Sequence, residues 1–524
     1  MHDAIIIGAG HNALVAAFYL ARAGRRPLVL EKQPYVGGGA VTTEIHPGFR
    51  CPSLSHEVLL DAQVAGDLDL SRRGVEIVSL PFPVCALSPN APALVLHHDI
   101  HASVDALRPF STKDAAAYAD FRATLERLSS VVAATFDSPP PDIDEPSASD
   151  LWSLLKTGRR FRGLGKRDGY RLLRWLSMPV ADLMTEWFEG ERLRALLAGP
   201  GVSGTMLGPR SAGSALVLLL REASRLRAGG RPMRARGGPG AVTEAIAAAA
   251  RDAGAEIRTS VAVQRIIAKD ERVTGVVANG QVIDCATVLS GVDPKTTFLS
   301  LLNPADLSPE FATRVRNYRA SGTVAKVNLA LAALPAFQGV ADAAALGGRI
   351  HVGPDLDYLE RAFDCVKYGK VSSAPWLDVT IPTIADPALA PEGAHVLSIY
   401  MHYSPFDPAR GNGHAPGDML LEVTLQTLET CAPGIRSLVL AADVRTPAEL
   451  QAQLGLSGGH MFHGELALDQ LFTMRPLLGH ARYGSPVRGL NLCGAGTHPG
   501  GFMTGVSGKL AARALLKRGS ADTL

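Results

Sequence analysis

A pyrophosphate bound at the start of a helix needs a tight turn, a backbone that can approach it, and helix amides aimed at the anion. Gly8, Gly10 and Ala13 meet those needs in the spacing G-x-G-x-x-A, between the β-rich run at residues 4–7 and an amphipathic stretch that stops at Gly24. Glu31 follows 23 residues after Gly8, at the end of the next β-rich run. A carboxylate there accepts both hydroxyls of a ribose and repels a 2′-phosphate. These residues predict an adenosine-diphosphate site and do not separate NAD from FAD. Gly37-Gly38, continued by Gly39, begin six positions beyond Glu31. A glycine pair there lets a second loop cross close to the pyrophosphate and ribityl chain of a flavin.

Other chemistries find no residues to carry them. The histidines form no H-E-x-x-H or similar metal pattern, and there is no G-x-S-x-G nucleophile turn. The six cysteines are scattered without a C-x-x-C, so thiol redox pairs and cysteine zinc sites lack support. Redox chemistry must then come from a bound cofactor. The other glycine clusters, Gly163-Leu-Gly165 and residues 237–240, lack the strand, turn and acidic end of a second nucleotide site. A tightly bound NAD(P)H is therefore not expected, and oxygen, a quinone or another acceptor should reoxidise a flavin. Tyr400 and His402 lie on an alternating run and share a face by the two-residue period, where they could wall a small hydrophobic substrate or simply pack in a core.

The elements that must position these residues read as an α/β protein. Of 524 residues, 52 are Lys or Arg and 50 are Asp or Glu, so the formal charge is 52 − 50 = +2 and nothing suggests a nucleic-acid partner held by bulk charge. Hydrophobic residues at 47% and charged residues at 19% exclude a disordered chain. No apolar run reaches the ~18 residues of a spanning helix, and the start of the sequence carries no secretory pattern, so a cytoplasmic setting is expected. Residues 1–31 read as βαβ. A helix is predicted from Lys113 to Leu128, capped by Ser111 or Thr112, followed by the break Pro139-Pro140-Pro141. Residues 150–230 are mainly helical and carry a basic cluster from Lys156 to Arg174, either a solvated face or a patch for a peripheral contact with anionic membrane. From Gly237 the βαβ pattern returns, with a hairpin turn at Asn279-Gly280. Alternating runs at residues 324–332 and 395–402 suit a second sheet, and the chain closes with a strand, a Gly/Pro-rich turn and a helix from about Gly505 to Lys517.

The sequence resembles the flavoproteins related to phytoene desaturase, carotenoid ketolase and the wider amine-oxidase superfamily. The resemblance covers essentially the whole chain. It is carried by the Gly8–Leu14 turn, Glu31-Lys32 with Gly37-Gly38, Glu44–Gly48, the segment 254–290, His463-Gly-Glu465, residues 468–470, and above all the closing run Cys493-Gly-Ala-Gly-Thr-His-Pro-Gly-Gly501. It implies a discontinuous Rossmann-like FAD-binding domain (1–75, 230–300 and 480–524). A substrate-binding α+β domain with a mixed sheet is inserted (76–229 and 301–479), helical at about 110–229. It also implies a non-covalent FAD held by Gly8, Gly10, Glu31 and Lys32, with the backbone of Val263 near the adenine and the terminal turn, including Gly494 and Gly496, approaching the ribityl chain. Gly505 and Val506 would then start a helix whose dipole stabilises negative charge on reduced flavin.

On the same basis the candidates for proton handling are His463, Glu465, His498 and His56, each of which could instead be a structural anchor; Glu465 could pair with Arg475. The implied activity is dehydrogenation or oxidation of a hydrophobic, polyene- or isoprenoid-like substrate by hydride transfer to flavin. Two departures bear on this. Gly39 stands where many amine oxidases have arginine, and Phe502 gives the terminal turn a partly amine-oxidase appearance. An amine oxidase releasing peroxide is the nearest alternative, and a non-catalytic lipid-shielding protein of the same fold is the other.

Overall fold

The computed structural model describes residues 2–78, 84–143, 145–407 and 417–521. Its first sheet is parallel throughout, with strands in the order Leu490–Leu492, Val288–Ser290, Ala4–Ile7, Pro27–Leu30 and Glu256–Arg258. The beginning, middle and end of the chain are thereby laid side by side. Every residue of the first four of these strands is buried, as a parallel sheet covered on both faces requires. Ala4, Ile6 and Val29 point into the core shared with the helices His11–Arg22, Gly238–Asp252 and Val506–Ala521. Ile5, Ile7, Leu28 and Leu30 pack against a three-stranded antiparallel sheet on the opposite face. Its predicted hairpin joins Arg272–Ala278 to Gln281–Asp284 through Asn279 and Gly280, both at positive φ.

The second sheet has seven strands in the order Val439–Arg445, Val324–Leu331, His395–His402, Trp376–Thr380, Arg349–Val352, Val84–Leu87 and Leu94–Leu96. It is mixed: Arg349–Val352 runs parallel to Val84–Leu87, and the other neighbours are antiparallel. The two faces of its centre differ in chemistry. Val327, Leu329, Ile350, Val379, Leu397 and Ile399 form one apolar core with Leu420 and Leu428 of the helix Gly417–Glu429. The alternate positions Lys326, Asn328, Arg349, His351, Asp378, Ser398, Tyr400 and His402 are buried on the other face. That polar face meets residues 52–56: Asn328 donates to the carbonyl of Pro52, and Lys326 lies against His56.

The helical region fills the stretch between the two sheet-forming segments. The helix expected from Lys113 to Leu128 runs from Thr112 to Ala134, capped by Ser111, whose hydroxyl accepts from the amide of Asp114. Its extra turn and a half carries Val131, Val132, Ala133 and Ala134, all buried, so packing extends it beyond the point where the periodic pattern fades. Among the described residues no helix is long and apolar enough to cross a membrane.

Candidate active site

The opening and closing turns converge on one cleft of about 1250 Å³, lined by Gly8, Gly10, Ala13, Glu31, Lys32, Gly37, Gly38, Gly39, Val263 and Gly494. Local structure explains why these positions hold small residues. The amide of Gly8 donates to the carbonyl of Leu30 at 2.8 Å, and that of Gly37 to Ala9 at 2.8 Å, so the second loop is stitched to the turn. Gly38 has φ +61°, and a Cβ there would sit 3.3 Å from the Cα of Gly10. Glu31, 6% exposed, accepts from the amides of Ala9 (2.6 Å) and Gln33 (2.9 Å), which fixes its carboxylate at the cleft edge. His11 Nε2, Asn12 Oδ1 and His463 Nδ1 are buried without a hydrogen-bond partner, and all three residues line this cleft. Buried polar atoms normally have partners, so a polar ligand of dinucleotide length fits the cleft, its shape and its orphaned groups. When bound, FAD would lie from Glu31 at the adenosine end toward Gly494 and Ala495.

A second cavity of about 680 Å³ opens beside the far end of the cleft, and His11, Leu54, Ser55, Met461 and Ala495 belong to both. Leu54, Leu59, Met461, Phe462, Phe502 and Met503 give it an apolar wall. Glu57, Arg221, Arg349 and Asp378 line it as well, together with His56 and Tyr400. Arg221 pairs with Glu57 at 3.0 Å and Arg349 with Asp378 at 2.9 Å. Burial raises the Asp378 carboxyl above its ordinary range despite Arg349. For Glu57, burial pushes upward but Arg221 and then Arg349 outweigh it, holding the carboxyl low.

His56 stacks on Tyr400 with ring centroids 3.6 Å apart and planes 9° from parallel. Its Nε2 meets Nζ of Lys326 at 2.5 Å, and the same Nζ donates to Ser398 Oγ at 2.5 Å, which in turn donates to Asn328. Lys326 is fully buried, and burial brings its ammonium down to about 7. Burial and then Lys326 push His56 well below its usual value. With His56 held neutral, burial places the Lys326 ammonium close to neutral pH beside it. His463 is neutral too, burial lowering it to about 4.

Several sequence expectations need correction. His498 reaches neither cavity: its Nε2 contacts the carbonyl of Thr135 at 2.9 Å and its ring packs edge-on to Phe136, so it ties the closing turn to the helical region. Glu465 is buried away from both cavities, accepting from the amides of Met206 and Leu466, with His460 at 3.6 Å. Arg475 does not pair with the Glu465 carboxylate. Fully buried, it donates to the carbonyls of Phe462, Glu465 and Ala495 and clamps the closing turn onto residues 462–465. His402 lies under the cavity rather than in its wall, stacked on Trp376 at 4.1 Å, whereas Tyr400 and His56 do line it. Gly496, Gly505 and Val506 stand behind the lining: a Cβ on Gly496 would meet Pro294, and one on Gly505 would meet Leu60, Val64 and Val15.

Sequence reasoning passed over His11, Glu57, Arg221, Lys326, Arg349 and Asp378. The signal for three of them was present. Lys326, Arg349 and Asp378 are the polar beats in V-A-K-V-N, R-I-H-V and W-L-D-V-T, three alternating runs that place ionisable groups on one sheet face. His11 occupies a variable position inside the glycine turn itself. Nothing local marks Glu57 or Arg221, which become neighbours only through the tertiary fold.

Comparison with known proteins agrees with this geometry. The flavin containing amine oxidoreductase family matches residues 94–516, and an NAD(P)-binding Rossmann-like domain matches residues 6–60. The chain is 35% identical over 542 aligned positions to pyridine nucleotide-disulfide oxidoreductase domain-containing protein 2 of Rattus norvegicus, covering 98% of this chain and 93% of that one. It is 27% identical to phytoene dehydrogenase of Streptomyces griseus, covering 97% and 94%. The fold superposes on cyclohexylamine oxidase from Brevibacterium oxydans with a TM-score of 0.59 at 17% identity, covering 99% of each chain. The chain belongs to the flavin containing amine oxidoreductase family. It is an oxidoreductase, and its cofactor is FAD.

Proposed function

We propose that the enzyme dehydrogenates an apolar organic substrate held in the second cavity, with oxygen or a quinone as the final acceptor. The observation that carries this reading is the junction of the two cavities at His11 and Ala495, which sets an apolar chamber with a buried proton acceptor against the end of the dinucleotide cleft. When bound, FAD would supply a two-electron sink for a hydride from a substrate carbon. The chain supplies the rest. Leu54, Leu59, Phe462 and Met503 exclude water and orient the carbon chain, while neutral Lys326, reached through His56, accepts the proton released as the new double bond forms. The orphaned Nε2 of His11 and Nδ1 of His463 are available to hydrogen-bond the cofactor.

The phytoene dehydrogenase relative supports an isoprenoid-like substrate, and the charges on the far wall favour one with a polar end over an unbroken polyene. Arg221 and Arg349 leave guanidinium donors uncommitted in that wall, which suit an acceptor better than the ammonium of an amine substrate. A cytoplasmic setting belongs to the same reading, supported by six cysteines that are all free thiols. So does a peripheral membrane contact. On the helices Ala148–Gly163 and Gly165–Ser177, Leu151, Trp152, Leu155, Tyr170 and Leu173 are exposed beside Lys156, Arg159, Lys166 and Arg167. The test is anaerobic titration of the yellow protein with isoprenoid alcohols and acids against an amine panel. Bleaching of the flavin by the former supports the reading; bleaching only by amines overturns it.

A further inference from the structure

We propose that the wall formed by Arg221 and Arg349 recognises a carboxylate, so that the substrate is an apolar acid anchored by its anionic end while its hydrocarbon part faces the flavin. This deepens the reading above and rests on it. A guanidinium carries five N–H donors in a planar fork that matches a carboxylate. Arg349 commits only its Nε, to Asp378, and Arg221 commits only an Nη, to Glu57. The Nε of Arg221 is buried with no acceptor at all. A buried donor left without an acceptor is costly, and this one sits beside the free Nη donors of the same two guanidinium groups.

The surrounding charges point the same way. Arg234 stands behind with no side-chain hydrogen bond among the described residues, and it, Arg221 and Arg349 act on the same two carboxylates, Glu57 and Asp378. The next carboxylate, Asp386, borders a neighbouring cavity with Arg234 and is engaged by the amide of Gly237. Lys326 adds a fourth basic group on the sheet face. An anion arriving here completes a donor-rich site. The apolar side chains of Leu54, Met461 and Phe462 that line the same cavity select what the anion is attached to. Arg221 lies over the Phe502 ring at 5.0 Å, which holds its guanidinium plane in place.

The experiment uses the FAD-loaded enzyme and the flavin absorbance as reporter, with acetate, benzoate and octanoate each compared with its neutral amide. At least one acid should perturb the flavin band saturably and bind at least about tenfold more tightly than its amide. Arg349→Lys and Arg221→Gln should each weaken that acid about tenfold or more and leave the amide unchanged, with FAD content reporting that the variants are folded. Equal binding of acid and amide, no perturbation by any acid, or variants that bind the acid as the wild type does would each overturn the carboxylate site while leaving the flavin reading intact. A preparation that stays colourless when given FAD would instead overturn the flavin reading itself, and with it this inference.

Discussion

A methyl group at residue 38 tests the cradle more sharply than removing any side chain. Gly38 adopts φ +61° and faces the Cα of Gly10 at the point where the second loop crosses the turn. Alanine there costs about 1–2 kcal/mol in backbone strain and pushes the two loops apart where the pyrophosphate must pass. Gly38→Ala should therefore purify with at least about tenfold weaker FAD affinity, by the arithmetic of 1.4 kcal/mol per decade, and with little change in far-ultraviolet circular dichroism. A variant that keeps full flavin would detach this loop from the cofactor. Lys326 makes a second prediction at the same scale. As a proton acceptor it works deprotonated, and burial brings its ammonium to about 7, so kcat/KM should climb as pH rises through about 7. Lys326→Met should lower the rate and abolish that limb; a limb that survives the substitution would belong to another group.

Elements hold these residues by means the sequence shows unevenly. The glycine turn, Glu31 and the terminal run were legible because each needs a particular residue type at a particular spacing, and the βαβ unit around them follows from period and punctuation alone. Tyr400 was legible as a face of an alternating strand, but the face was read from one strand when its two neighbours and the strand beyond carry the same beat. His498 stood as a proton-handling candidate with a structural anchor as the alternative, and its contact with the carbonyl of Thr135, just past the end of Thr112–Ala134, decides for the anchor. Arg475 was seen only as a partner for a carboxylate, whereas it binds carbonyls brought together by the fold. Arg475→Met should orphan several of those buried oxygens, at about 1–3 kcal/mol each, lowering the melting temperature and loosening FAD together. Loss of neither would mean that water replaces the clamp. The exposed apolar and basic residues on Ala148–Gly163 and Gly165–Ser177 predict a surface behaviour as well. Vesicles containing phosphatidylserine should retain the protein, and a Trp152→Ala, Leu155→Ala double variant should partition at least several-fold less; equal retention would make the patch an ordinary solvated face.

At the scale of the whole molecule, five buried neutral imidazoles set the response to acid. Burial lowers His11, His351 and His402 to about 3 and His463 and His498 to about 4. In the unfolded chain each returns to near 6.5. Below that pH the unfolded state binds protons that the folded state refuses, so stability that is fully present above pH 6.5 is lost progressively as pH falls toward 4. The slope is up to about 1.4 kcal/mol per pH unit for each group. Five such groups acting together can exceed the roughly 5–15 kcal/mol that holds a typical domain folded, so the urea midpoint should drop steeply between pH 7 and pH 5. The groups also divide by place. His11 and His463 line the FAD cleft, whereas His351, His402 and His498 do not. FAD stabilises the folded state at every pH but should change the slope of the acid transition only through the first two, and His498→Gln should reduce the slope by about one proton in both the flavin-loaded and flavin-free protein. A midpoint flat from pH 7 to pH 5 would show that these rings take up protons inside the fold, and that the packing around them is looser than their burial indicates.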